Sequence, residues 1–120
     1  MPPADDPNPG TTGGGATAAQ RLLGTWMAEL ITFLADNDFI TSRTTWEFRG
    51  DGSCRQVVST RQFSEGVTYL DVTDCTYVLR QGLIEVTEAG AMAPVVYSIA
   101  FPIADLNSLV LSDIVYHRVP

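Results

Sequence analysis

Two cysteines, Cys54 and Cys75, are the residues best suited to covalent chemistry, and they are the only thiols in the chain. An even number of cysteines in a small domain favours a disulfide in an oxidising compartment. If the segments flanking residues 63–66 form a hairpin in which Gln62 pairs with Val67, Cys54 lies directly opposite Cys75. In the chain-entropy model, a bond closing such a loop adds roughly 3 kcal/mol of stability. The alternative interpretation is a pair of buried free thiols.

The single histidine, His117, does not complete a nucleophilic site or a zinc site. A Ser–His–Asp arrangement would use this histidine as its base, but the sequence lacks a Gly-x-Ser-x-Gly pattern. Zinc bound by His117 and both cysteines would lack the paired ligand spacing that zinc sites show. We therefore expect a strand histidine without a catalytic role, and no metal site.

The carboxylates offer two further patterns, and neither predicts a site. Asp36-Asn37-Asp38 could supply oxygens to calcium, but the glycine and distal glutamate of an EF-hand loop are missing. Glu85 and Glu88 lie at an odd separation, so on a strand they point to opposite faces and cannot act as a catalytic pair. The aspartates are predicted to form a solvated turn, and no cofactor is expected.

Composition limits the classes of partner. The chain has 120 residues, 45% of them hydrophobic, and a formal net charge of −7 from 14 acidic and 7 basic side chains. This length fits one domain. The charge is opposite to what phosphate neutralisation requires, so a nucleic acid is not an expected partner. Because no run of about 18 apolar residues exists, the sequence predicts no transmembrane helix.

The first 20 residues are rich in Pro, Gly, Thr and Ala and contain no large apolar side chain beyond Met1. Such a segment cannot bury enough surface to offset the entropy cost of ordering it, which predicts a flexible tether over residues 1–20. A tether of this composition resembles the mature N-terminus of bacterial lipoproteins, which suggests a lipid anchor outside the cytoplasm. An ordinary leader on a soluble protein is the alternative.

The remainder, residues 21–120, predicts one all-β domain. Alternating apolar residues and turn signals such as Asp51-Gly52 and Gln81-Gly82 indicate seven or eight short strands joined by hairpins. Residues 16–23 predict a short turn or helix, residues 34–42 a loop, and a change of apolar parity near residues 71–74 a bulge or a bend. The predicted strands cover residues 24–33, 43–49, 54–62, 67–80, 83–88, 95–101 and 108–119. A meander of this kind favours a single antiparallel up-and-down β-barrel, because closure removes exposed edges.

A family resemblance begins at Gly24-Thr25-Trp26, which follows the short predicted helix and starts the first strand. This Gly-x-Trp pattern resembles the opening of lipocalins and their calycin relatives. The resemblance implies that Trp26 packs at the closed end of the barrel, with Arg118 of the last strand across its ring, a favourable cation–π arrangement. Gly24, Trp26 and Arg118 are thus expected to be structural residues.

Other segments also resemble small bacterial lipocalin-like domains. These are Trp46-Glu47-Phe48 before Asp51-Gly52, then Tyr77-Val78-Leu79, and finally Leu109 and Leu111 before Tyr116. The chain departs from the family in being shorter than secreted lipocalins and in lacking their long helix after the barrel. It also lacks the inserted helix pair of fatty-acid-binding proteins.

The resemblance implies a non-enzymatic, extracytoplasmic domain that binds a small hydrophobic ligand inside the barrel. We expect the ligand to contact Trp46, Phe48, Tyr77 and Tyr97, and also Arg55, which is predicted to share a face with Trp46 and to be neutralised by Asp74. The same aromatic side chains could instead form a solid core. In that case the domain is a structural or protein-interaction module, an inhibitor or envelope-associated domain, marked by a filled lumen and an exposed apolar patch. A calycin-type enzyme would require a polar cluster in the lumen.

Overall fold

The computed structural model describes residues 17–120, which form one short helix and eight strands. Each strand pairs antiparallel with the next along the chain, and pairing of the last strand with the first closes the barrel. The all-β up-and-down barrel predicted from the sequence is confirmed. The elements are α1 (Ala18–Leu22), β1 (Gly24–Phe33), β2 (Phe39–Phe48), β3 (Ser53–Gln62), β4 (Thr68–Arg80), β5 (Leu83–Glu88), β6 (Val95–Ala100), β7 (Ser108–Leu111) and β8 (Ile114–Arg118).

Helix α1 begins at Ala18, close to the predicted start, and Thr17 caps it. The Thr17 hydroxyl accepts from the Gln20 backbone N–H at 3.1 Å, and the Gln20 side chain accepts from the Thr17 N–H at 3.0 Å. This capping box satisfies two backbone donors at the start of the helix. The last four residues of the predicted tether therefore lie in the cap and first turn of α1. Residues 1–16 of that tether lie outside the described residues.

The predicted hairpin register between β3 and β4 is confirmed. Cys54 lies opposite Cys75, with Arg55 opposite Asp74 and Val57 opposite Val72. The two cysteines form a disulfide with their Cα atoms 4.9 Å apart.

Three local predictions are wrong. The segment of residues 34–42 is not all loop, because β2 begins at Phe39 and pairs with β1 to its last residue, Phe33. No bulge occurs in residues 71–74, since the β3–β4 register is continuous from Thr68 to Thr76. Residues 108–119 form two strands, because Ser112 and Asp113 both adopt positive φ angles (47° and 70°) and make a tight turn.

The barrel interior is filled by alternate residues of all eight strands together with Leu22 of α1. The two tryptophans anchor this core, since Trp26 is completely buried and Trp46 nearly so. The core consists of Leu22, Trp26, Trp46, Phe48, Cys54, Cys75, Ile84, Val86, Ile99, Leu109, Leu111 and Tyr116.

The predicted packing of Arg118 against Trp26 is present where β8 meets β1. The Arg118 guanidinium carbon lies 4.2 Å from the centroid of the indole ring. Arg118 also donates to the carbonyls of Leu23 (2.7 Å) and Arg21 (2.8 Å), and Trp26 Nε1 donates to the Leu22 carbonyl (2.8 Å). Carbonyls at the C-terminal end of a helix have no partner within the helix. Here the two side chains that close the barrel satisfy three of them.

Gly24 makes room for this arrangement. Its φ of +117° is unfavourable for residues with a side chain, and a Cβ at this position would lie 2.8 Å from Arg118 Nη1. The glycine of the Gly-x-Trp pattern thus has a steric role as well as a conformational one.

We predict that Gly24→Ala lowers the free energy of unfolding by more than Gly90→Ala, as measured by urea denaturation. Both glycines have positive φ, but a Cβ at Gly90 would meet no atom within 4 Å. Gly90→Ala is the control and should lower the free energy of unfolding by about 1 kcal/mol, because of backbone strain alone. Gly24→Ala should lower it by roughly 2–3 kcal/mol, because Arg118 must also move. Equal losses of unfolding free energy in the two variants would show that the position of Arg118 does not require the absence of a Cβ at residue 24.

Candidate functional site

Four of the five predicted ligand-binding residues pack against one another in the lumen. The ring of Trp46 stacks on Phe48 with centroids 5.5 Å apart, and Tyr97 meets Trp46 edge-on at 5.8 Å. Tyr77 meets Phe48 edge-on at 5.2 Å and donates its hydroxyl to the Arg49 carbonyl at 2.7 Å. Burial raises the pKa of both tyrosines. These rings thus have neighbours on several sides.

The lumen beside Trp46 is narrow. The small gap between Trp46, Val86 and Tyr97 has no room for a water molecule. At this level the barrel is filled by its own side chains, as in other small barrels. That these rings bind a ligand stays a prediction.

Arg55 lies outside the barrel, and its predicted placement beside Trp46 and Phe48 is wrong. Arg55 is opposite Glu47 in the β2–β3 pair, and neighbouring residues on a strand face opposite sides. Its guanidinium donates to Asp74 at 2.8 Å, and this hydrogen bond lowers the pKa of Asp74. The expected neutralisation by Asp74 therefore occurs on the outer surface.

The strands of the first half project beyond the closed part of the barrel. Strand β1 pairs with β8 only at Trp26 and Met27, and β4 pairs with β5 only from Cys75 onward. Beyond these points β1 to β4 continue as an open sheet. We call these strand ends, residues 28–33, 39–44, 56–62 and 68–73, the four-strand extension.

Of the twenty exposed large apolar side chains among the described residues, nine lie on the extension and its turns. Phe33 is 81% exposed and Leu70 68%, on the outermost ends of β1 and β4. Both faces of the sheet contribute, because Leu30 and Tyr69 lie on the inner face and Ile31 and Leu70 on the outer face. The set comprises Leu30, Ile31, Phe33, Leu34, Phe63, Val67, Tyr69, Leu70 and Val72.

Asp38 holds the two turns at the tip of the extension together. Its carboxylate accepts hydrogen bonds from the backbone N–H groups of Phe39 and Ser64, both at 2.9 Å. It also accepts from the Gln62 amide and the Ser64 hydroxyl, both at 2.6 Å. These hydrogen bonds, that from Gln62 above all, lower the pKa of Asp38 from 3.8 to about 2. The β1–β2 turn and the β3–β4 turn are thereby fixed to each other.

This connection orders an aromatic surface. Phe39 stacks on Phe63 with centroids 4.9 Å apart, and Phe33 lies 6.4 Å from Phe39. The three rings come from β1, β2 and the β3–β4 turn, so their contact depends on the relative position of both turns. The tip of the extension is therefore an ordered apolar surface.

A cleft of about 340 Å³ opens where β1 and β8 separate. Ala28 and Leu30 line one side, and Ile114, Val115 and Tyr116 the other. The lining also includes four polar or charged side chains, those of Glu29, Ser42, Thr44 and Asp113. The volume is within the range of small-ligand pockets.

The remaining chemical candidates are not assembled into a site. His117 is an exposed strand residue opposite Met27 and Ser108, and Glu85 pairs with Arg80 at 2.8 Å. Residues 17–120 contain no group of three or more side chains placed to hold a metal ion. No helix in the same range is long and apolar enough to cross a membrane.

Comparison with known proteins identifies no relative, so the function is inferred from this geometry. No family model matches the chain, and no curated protein or solved structure is significantly similar to it.

The extension is the feature that reasoning from the sequence missed. One signal was present, because Leu30 and Ile31 are adjacent apolar residues that must face opposite sides of a strand. The change of apolar parity along β4 was a second signal, because Leu70 and Val72 face the opposite side of the strand from the buried Cys75. The difference in strand length became visible only in the structure, where β1 to β4 have 10, 10, 10 and 13 residues and β5 to β8 only 6, 6, 4 and 5.

We predict that Asp38→Asn lowers the melting temperature at pH 6 and has little effect at pH 2. The carboxylate has a lowered pKa in the folded protein, so its stabilisation is fully present above about pH 4 and disappears as the pH falls towards 2. The amide keeps the shape of the side chain and removes its charge. Thermal unfolding followed by circular dichroism measures the difference, with Asp36→Asn in the same turn as the control. If Asp38→Asn lowers the melting temperature by the same amount at pH 6 and pH 2, the negative charge of Asp38 does not stabilise the fold.

Proposed function

We propose that this protein is a non-enzymatic, extracytoplasmic, lipocalin-like interaction module that binds a protein partner through the four-strand extension. The observation that carries the proposal is the open sheet, in which apolar side chains such as Phe33 and Leu70 are exposed on a rigid frame. Exposed apolar patches on soluble proteins mark interaction surfaces. The filled lumen around Trp46 supports the same interpretation, because it leaves the outside of the molecule as the surface available for binding.

The inner face of the extension also favours a protein over a lipid. Its strands place Thr44, Gln56, Thr60 and Asp71 on the side that continues the lumen, according to the alternation that buries Trp46 and Cys75. A purely apolar molecule would leave these polar groups without partners. A polypeptide can satisfy polar and apolar groups together.

The lipocalin relationship is part of the proposal. Gly24, Trp26 and Arg118 have the arrangement that the resemblance implies, with the guanidinium over the indole ring. The arrangement supports common ancestry with small bacterial lipocalin-like domains.

The location outside the cytoplasm rests on the disulfide between Cys54 and Cys75, since such bonds persist in oxidising compartments. In this proposal residues 1–16 serve as a tether that presents the barrel to its partner.

The carboxylates support a non-enzymatic role. The pKa values of Asp38, Asp51, Asp74 and Asp105 are all lowered by local hydrogen bonds. A general acid needs the opposite shift, which burial produces. These four aspartates are therefore structural acceptors.

The proposal is tested by photo-crosslinking in the cells that produce the protein. A photoreactive phenylalanine in place of Phe33 should give a crosslinked adduct with a protein, because that side chain lies at the tip of the apolar surface. The same substitution at Val78, an exposed apolar residue on the wall of the closed barrel, should give none. Adducts at Val78 alone, or at neither position, would contradict binding through the extension.

A second candidate function is supported by the cleft between β1 and β8, whose apolar lining residues, such as Leu30 and Ile114, could contact the chain of a small hydrophobic ligand. This keeps the ligand-binding expectation but moves the ligand from the lumen to the mouth of the barrel.

Native mass spectrometry with oleic acid separates the two functions. The proposed function predicts no one-to-one adduct. Ligand binding in the cleft would instead give an adduct that persists in Leu70→Asp and is lost in Leu30→Asp. The two variants carry the same new charge, but only Leu30 lines the cleft.

A further inference from the structure

The strand registers place a polar row beside the three stacked rings on the outer face of the four-strand extension. Phe33 lies opposite Phe39 where β1 and β2 meet at the tip. Two residues along β2, Thr41 lies opposite Arg61, and Arg61 in turn lies opposite Thr68 of β4. Residues two apart on a strand point to the same side, so this row shares the outer face with Phe39. The outer face therefore changes from aromatic to polar within one step along the strands.

A groove of about 390 Å³ crosses this outer face from β1 to β4. Glu29 and Arg43 lie at one end of the groove and neutralise each other, with their charged atoms 2.8 Å apart. The groove therefore keeps one positive charge, that of Arg61, beside hydroxyl groups that can donate hydrogen bonds. Its lining consists of two arginines, one glutamate and three hydroxyl side chains, namely Glu29, Thr41, Arg43, Ser59, Arg61 and Thr68.

Arg61 differs from the other six arginines of the chain in having no ion-pair partner among residues 17–120, although Glu65 lies in the adjoining turn. Arg21 and Arg118 each donate to backbone carbonyls and lie over an aromatic ring. The remaining four form ion pairs with carboxylates, and they are Arg43, Arg49, Arg55 and Arg80. A chain with 14 acidic side chains thus leaves one guanidinium available to an acidic group from outside.

The Arg61 side chain extends towards the tip. A Cβ added to Gly66 would lie 4.0 Å from Arg61 Nη2, so this nitrogen lies beside the β3–β4 turn. The same turn carries Phe63, whose ring stacks on Phe39. The cation and the three rings therefore lie close together. Arginine and aromatic side chains are the residue types enriched at the energetic centres of protein interfaces.

We propose that the outer face of the extension binds a segment of the partner protein that presents an acidic side chain to Arg61 and an apolar side chain to the three rings at the tip. This inference rests on the proposed function and names the chemistry of its partner. A carboxylate accepts two parallel N–H hydrogen bonds from a guanidinium, and the hydroxyls of Thr41 and Thr68 flank that position.

The charge of the molecule selects a single acidic side chain over a polyanion. The chain has a formal net charge of −7, which repels a nucleic acid or a sulfated glycan. One positive charge in the groove matches one carboxylate. A polypeptide supplies that carboxylate together with the apolar side chain that the rings require.

The two faces of the extension differ in charge, and this difference selects the outer face. Asp71 is the one charged residue on the inner face of the extension, since it shares the side of the buried Cys75. It forms no ion pair within the described chain. An acidic segment would be repelled on the inner face and attracted on the outer one.

Photo-crosslinking of the full chain in the cells that produce it tests which face is bound. Leu70 and Tyr69 are neighbours on β4, with exposed fractions of 68% and 58%, and they point to opposite faces. Leu70 also lies opposite Ser59, at the border of the groove. A photoreactive phenylalanine in place of Leu70 should form an adduct with a protein, and the same residue in place of Tyr69 should form roughly tenfold less.

The role of Arg61 is tested by Arg61→Gln in the chain that carries the photoreactive residue at position 70. The yield of adduct should fall roughly tenfold, because the paired hydrogen bonds to the carboxylate are lost. Arg55→Gln is the matched control, since it removes the same charge from the same face of the same strand, where Arg55 is already paired with Asp74. The control should leave the yield unchanged. Mass spectrometry of the adduct should identify a partner peptide with an aspartate or glutamate close to the crosslinked residue.

Circular dichroism shows whether Arg61→Gln folds. If it does not, Arg61→Lys takes its place and should also lower the yield, because lysine keeps the charge and lacks the paired donors. An adduct yield that neither variant lowers, or that Arg55→Gln lowers equally, would overturn the inference. An adduct at position 69 in equal or greater yield would do so too, as would a partner peptide without an acidic residue.

The inference and the proposed function fail in different ways. An adduct at position 33 without one at position 70, or one at position 70 that is independent of Arg61, would overturn the inference and leave the proposed function standing. If neither position forms a protein adduct, both fail.

Discussion

The structure depends on the contact in which Arg118 lies across Trp26. This pair joins the last strand to the first, and the same side chains satisfy the carbonyls at the end of α1. Gly24 is required because the guanidinium occupies the space of a Cβ. The packing of the Arg118 guanidinium on the Trp26 ring, which the absence of a Cβ at Gly24 permits, thus closes the barrel and holds the helix against it. The short pairing of β1 with β8, at Trp26 and Met27, is concentrated at this point.

Closure at one end leaves the other end open. A barrel can be closed only over the length of its shorter strands, and β7 has 4 residues whereas β4 has 13. The surplus of β1 to β4 becomes the four-strand extension, which has uncovered faces and free edges. The functional proposal follows from this mismatch, because the closed part is filled around Trp46 and the open part exposes apolar groups. A protein that carries a ligand inside its barrel would instead need free volume in the closed part.

The extension is held rigid at both ends. The disulfide between Cys54 and Cys75 joins β3 to β4 in the closed part, and the Asp38 carboxylate joins the two turns at the tip. The sheet between these points has a defined edge and a defined set of exposed rings. A preordered surface loses less conformational entropy on binding. This rigidity suits the recognition of a partner segment, because the side chains of the outer face keep fixed positions relative to one another.

Local patterns in the sequence determined the barrel class and the hairpin register that aligns Cys54 with Cys75, whereas the packing of Arg118 on Trp26 was expected from the family resemblance. These features depend on alternation, turn residues and short motifs, which are encoded by neighbouring residues. The position of Arg55 outside the barrel was not predicted, because the side of a strand that faces the core is set by its neighbours. The extension was not predicted for the same reason. Whether Tyr69, on the inner face, is buried depends on how far β5 continues beside β4, and only the tertiary structure decides where one strand ends relative to another.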